Sequence, residues 1–232
     1  MRGVTTRVAA VALVIALASS CDETPAGTAN AAPTWPAGAV IAIDGEPILA
    51  ADVDAASVFV QRIEPGASSA QLRRLALANV ALPRTLAKLE APEKRAQALA
   101  EAETAHAALL AGTYASPPRP DGLAGERVSG GFGQLGLVTW GTALDLPEGA
   151  WSGVLEEVGY FAIVRRLSRT EGPVPMATLV ELDALVFPWL ERESAAQTIE
   201  AAHDRRRMTI VDPAWRAIVP ELLQHRMKVE RP

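Results

Sequence analysis

Apolar residues recur along this chain at two spacings, three-to-four and two, and the switches between them mark out its elements. Val40 to Ile43 is a short apolar strand, Asp44-Gly45 a turn, and Ile48-Leu49 a return toward a helix for which Asp52 is the expected cap. Val53, Ala56, Val60 and Ile63 then fall at helical spacing. Ser68-Ser69 caps a second helix whose Leu72, Leu75, Leu77, Val80 and Leu82 are apolar nearly all round, and Pro83 is expected to end it. A helix with that much apolar surface is either sandwiched in a core or offers a groove, and the core is the preferred reading. Pro92-Glu93 opens a third, Ala-rich helix through Leu110, with Gly112 beyond its end.

The spacing of two takes over in the second half of the chain. Trp151 to Leu155 and Gly159 to Leu167 are apolar runs separated by Glu156-Glu157, a pattern that predicts a β-hairpin preceded by a Pro147-Glu148-Gly149 turn. Adjacent strand residues point to opposite faces, so Glu156 and Glu157 read as the polar tip of that hairpin rather than as a catalytic carboxylate pair. Leu179 to Phe187 is strongly β-like, Ser194 to His203 a short amphipathic helix, and Met208 to Val211 a further strand. Asp212-Pro213 caps a last helix carrying Trp215, Ile218 and Val219, which Pro220 kinks or restarts.

The first residues follow another rule. Arg2 and Arg7 precede an apolar run from Val8 to Leu17, too short to span a bilayer as a helix of about 20 residues, so residues 1–21 read as an export signal. Cys21, the single cysteine, follows Leu17-Ala18-Ser19-Ser20. Ordinary cleavage at Ala16-Leu17-Ala18 would leave it as a free thiol. Residues 22–38, rich in Ala, Pro, Gly and Thr, read as a flexible tether.

Composition narrows the function classes. The chain has 232 residues, 49% hydrophobic, enough to bury a sizeable core. Its formal charge of −5 and lack of a basic stripe exclude a nucleic-acid backbone as partner. Arg205-Arg206-Arg207 reads as solvated cations at a helix C-terminus. His106, His203 and His225 are scattered, so no metal site is predicted, and His106 reads as a helix-packing residue. No phosphate loop, nucleophile elbow or zinc motif is present, and no cofactor is expected.

Two segments carry a family resemblance. Val40 to Asp54, V-I-A-I-D-G-E-P-I-L-A-A-D-V-D, resembles the opening of SurA-like and PrsA-like periplasmic foldases. Gly130-Gly131 through Gly136, Ala143-Leu144 through Val154, and Val158 to Ile163 resemble the C-terminal half of a parvulin-type peptidyl-prolyl isomerase. Leu17 to Cys21 looks like a bacterial lipobox, which implies a lipid anchor on Cys21 and a place at the periplasmic face of a membrane. The implied fold is α+β: a helical SurA-like module over residues 39–91, a parvulin-like domain over 92–190, and a segment over 191–232 returning to pair Met208 with the Val40 to Ile43 strand. No β-strand precedes the Pro92 helix where the family has its first one, so Leu179 to Phe187 is expected to complete the sheet in a permuted arrangement.

The same resemblance restricts the chemistry it suggests. Phe161 and Ala184 stand where the family carries its two histidines, and neither side chain can donate a hydrogen bond. Asp121 is the nearest counterpart of a family Cys or Asp. Only Leu137 to Thr142 separate Gly136 from Ala143, so the family's helix there is expected to be missing, and the catalytic face is expected to be degenerate. Trp140, Trp151, Tyr160 and Phe161 are the candidate polypeptide-binding residues. The implied activity is binding of unfolded or proline-containing polypeptide with weak or no isomerase action. An active isomerase with a rearranged site and a non-catalytic assembly lipoprotein stay open as alternatives.

Overall fold

Strand β1 (Ala39–Ile43) passes through Asp44 and Gly45, both at positive φ, into β2 (Glu46–Leu49). Asp-Gly is a favoured pair for a two-residue turn with two positive φ angles. These strands belong to a computed structural model that describes residues 34–114 and 125–230. On its other side β1 pairs with β7 (Arg207–Ile210), setting Ile41 opposite Ile210 and Ile43 opposite Met208. β8 (Lys228–Glu230) adds a parallel edge, so the first sheet has the order β2-β1-β7-β8. The expected pairing of the Met208 strand with Val40 to Ile43 is therefore present.

Helix α1 (Ala50–Ile63) starts earlier than the sequence pattern suggests. Leu49 is its N-cap, and Asp52 sits inside the first turn, where its carboxylate accepts the Leu49 N–H at 3.4 Å. Helix α2 (Ser69–Ala76) is capped by Ser68, whose Oγ accepts the Gln71 N–H. Pro83 does not end this helix. The run widens into a π-helical stretch at Leu77–Ala81 and continues as α3 (Leu82–Glu90). Pro83 has no N–H to donate to the previous turn, and the wider pairing, with the Leu82 N–H reaching Leu77 O, carries the backbone past it. Leu72, Leu77, Val80, Leu82 and Leu86 are buried against β1 and α1, which makes this run a core element.

Helix α4 (Pro92–Leu110) is followed by β3 (Glu126–Gly130), the short α5 (Phe132–Leu135) and α6 (Leu137–Asp145). The presence of α6 corrects the expectation that no helix lies between Gly136 and Ala143. β4 (Leu155–Glu157) and β5 (Tyr160–Thr170) form the expected hairpin, but its tip is Val158-Gly159, with Gly159 at φ +87°, and both glutamates lie within β4. β6 (Leu179–Pro188) runs antiparallel to β5 along its whole length and also pairs with β3. The second sheet thus has the order β3-β6-β5-β4, and the Leu179 strand completes it from the C-terminal side.

The chain ends with α7 (Arg192–Arg205), β7, a 3₁₀ turn at Pro213–Ala217 capped by Asp212, and α8 (Glu221–Arg226). Arg205 is exposed, as expected of a solvated cation, and pairs with Glu90 at 2.9 Å, whereas Arg206 is half-buried and pairs with Glu90 at 2.8 Å and Asp44 at 3.1 Å. Residues from both ends of Trp35–Pro232, a single compact unit of mixed α+β class, share one core in which Val53, Leu86, Ile199 and Met227 meet. Cys21 and Asp121 lie outside the described residues.

Candidate functional site

The alternation of side chains across the second sheet sorts the candidate residues. Phe161, Ile163 and Leu185 point toward α4, where Ala98, Ala102 and Ala105 present a flat stripe that lets the helix lie close. Ala162, Val164, Val180, Leu182 and Ala184 point the other way, toward Trp140 and Ala143 of α6. Phe161 and Ala184 are therefore on opposite faces and cannot form one catalytic pair of positions, contrary to the expectation from the resemblance. The reason is register: Phe161 pairs with Phe187 and Val164 with Ala184, an odd offset of three along β5.

The remaining aromatic candidates separate as well. Trp140 is fully buried, its indole N–H donating to Thr178 O at 3.0 Å, so it is a core residue. Phe161 is buried, its ring tilted 47° against Trp189 at 4.5 Å between ring centres, with the Arg95 guanidinium 5.3 Å from its own. Trp151 is half-buried on the α4 face beneath Arg165. Only Tyr160 lines the open side.

That open side is a cavity of about 510 Å³ over the part of β5 and β6 that α6 leaves uncovered. Its floor is Ala162, Val164, Leu182, Ala184 and the exposed Val186, and its far wall is the start of α7. Small and branched apolar residues make up most of the lining, with Gln134, Thr139, Tyr160 and Arg192 as polar exceptions. A second cavity of about 540 Å³, between α1, the π-helical stretch and α5, shares Val158 and Tyr160 with the first.

Between these cavities sits a carboxylate whose burial the strand pattern does not reveal. Glu157 is 7% exposed, and its Oε1 accepts the Thr139 N–H at 2.7 Å in the first turn of α6. Gly136 makes this approach possible: it adopts φ +84°, and a Cβ there would stand 2.6 Å from the same oxygen. Burial pushes the Glu157 carboxyl above its ordinary value, opposed by the Thr139 N–H and the charge of Arg84. Glu156, on the opposite face of β4, is held by a two-pronged contact from Arg95 at 2.9 and 3.0 Å.

Tyr160 is the polar group best placed over the cavity. Burial, and after it the charge of Glu157, pushes its phenol up to about 12, so it keeps its proton throughout the neutral range. Its hydroxyl donates to Leu135 O at 3.3 Å and keeps free lone pairs as acceptors. Among the described residues no nucleophile faces a base across this cavity and no cluster could hold a metal ion. The arrangement suits binding of an apolar group more than proton transfer or covalent chemistry. Among the described residues no helix is long and apolar enough to cross a membrane. No family model, no curated protein and no solved structure matches the chain.

Proposed function

We propose that this chain is an exported, lipid-anchored foldase of the parvulin type that binds unfolded polypeptide on the open face of its second sheet, with little or no isomerase activity. The observation that carries the reading is the pairing of β6 with both β5 and β3, which supplies the missing strand of the sheet that the Gly130 to Arg166 resemblance implies. The presence of α6 and the return of β7 to β1 agree with the same reading. Weak catalysis follows from the side chains. Isomerisation must lower a barrier of about 20 kcal/mol by favouring a twisted amide, and the cavity offers Tyr160, Thr139 and Gln134 in place of a histidine pair.

Two assays test this. At stoichiometric protein, aggregation of an unfolded client measured by light scattering should be delayed. A protease-coupled prolyl-peptide assay should give rates close to the uncatalysed background. Absence of both client protection and isomerase action would overturn the proposal, whereas a strong proline-limited acceleration lost in Tyr160→Phe would favour an active enzyme with a rearranged site.

A further inference from the structure

The client-binding cavity has a charge pattern that points to what it selects. Among the described residues that line it, Arg192 is the single charged one. It is exposed at the start of α7, makes no ion pair among the described residues, and lies close enough for its charge to act on Tyr160. Its neighbours Glu191 and Glu193 line a different cavity, against Lys94 and Gln97 of α4, at whose boundary Arg192 also stands. Ala162 and Ala184 contribute only methyl groups to the lining, and the volume of about 510 Å³ exceeds what a prolyl ring fills. Val186, 53% exposed at the mouth, extends the apolar surface outward.

Resting on the polypeptide-binding reading above, we propose that the cavity takes a bulky aromatic or branched side chain from an extended client segment in which an acidic residue is the neighbour, held by Arg192. The apolar floor supplies a desolvated seat for the large side chain. A single cation at the rim of an uncharged cavity selects for a carboxylate beside it and against a lysine.

Fluorescence anisotropy on the full chain tests this with labelled, unstructured peptides that differ only at a central pair: Phe-Asp, Phe-Lys and Pro-Asp. Phe-Asp should bind tightest, about three- to fivefold over Phe-Lys at low salt, as suits a rim-exposed charge, and the gap should shrink as salt rises. Arg192→Glu should invert the Asp-over-Lys preference. Ala184→Phe, which fills the floor, should weaken Phe-Asp about tenfold, and Val186→Asp at the exposed mouth should also weaken it in a protein of unchanged circular dichroism. Pro-Asp binding as tightly as Phe-Asp, or indifference to charge in both wild type and Arg192→Glu, overturns the inference. Displacement of Phe-Asp by micromolar laurate at higher affinity than any peptide also overturns it, assigning the cavity to a free amphiphile. If all peptides bind alike while client protection persists, only the selectivity fails; if no peptide binds and client protection is absent, the polypeptide-binding reading fails with it.

Discussion

Glu157 is the residue whose role the structure changes most. Alternation along β4 correctly separates it from Glu156, but its burial depends on α6 arriving over it, and nothing within three residues of sequence announces that contact. Its titration gives a signed prediction. Because burial, offset in part by Thr139 and Arg84, raises its folded pKa above the ordinary 4.5, the folded chain holds this proton to higher pH than the unfolded chain. The contribution of Glu157 to stability therefore falls as pH rises from about 4.5 to the folded value and is flat beyond it. In Glu157→Gln that slope is lost. Thermal melts across pH 4 to 8 should show the variant gaining on wild type through this window, and a difference independent of pH would contradict the assignment. Asp44 has the opposite sign. Burial acts to raise it, but the Arg207 N–H and the Arg206 guanidinium outweigh that and hold it low. Its contribution is present above about 3.8 and lost as pH falls through the lower folded value.

At the level of elements, the parts with a strong internal signal were legible and those created by packing were not. Two apolar runs on either side of Glu156-Glu157 identified the β4-β5 hairpin, though not its tip at Val158-Gly159, and Pro92 and Gly112 bracketed α4 within two residues. The continuous helical run from Ser69 to Glu90 was hidden because Pro83 reads as a terminator, and only a π-helical stretch allows the chain past it. Helix α6 was hidden for a different reason. Val138, Thr139 and Gly141 are poor helix formers, and the helix stands through its contacts: the carboxylate of Glu157 on its first turn, and Gly141 against Phe59, where a Cβ would meet the ring at 2.5 Å. Gly136→Ala tests the first of these. A side chain at φ +84° facing the buried oxygen at 2.6 Å should cost roughly 2 kcal/mol or more, which for a unit of this size lowers Tm by about 4–8 °C. A melt unchanged from wild type would mean that α6 does not depend on this approach.

For the molecule as a whole, the two sheets divide the work. The first joins the two ends of the folded unit, with β1 against β7 and the Arg206–Glu90–Asp44 cluster fastening α7 to α3 and the first turn. The second is closed on one face by α4 and left partly open on the other, and the open part carries the apolar floor on which the functional proposal rests. The candidate site was only partly legible in the sequence: Tyr160 and Ala184 lie at this cavity, whereas Phe161 faces α4, because one step of strand register sends a side chain to the other face, Trp151 also packs on the α4 side, and Trp140, on α6, is buried in the core. Methyl chemical-shift mapping during titration with an unfolded client probes the central claim most directly. Shifts concentrated on Ala162, Val164, Leu182, Ala184 and Val186 are the predicted result; no shifts at saturating client, or shifts confined to the α4 face around Ala98, Ile163 and Leu185, would contradict it.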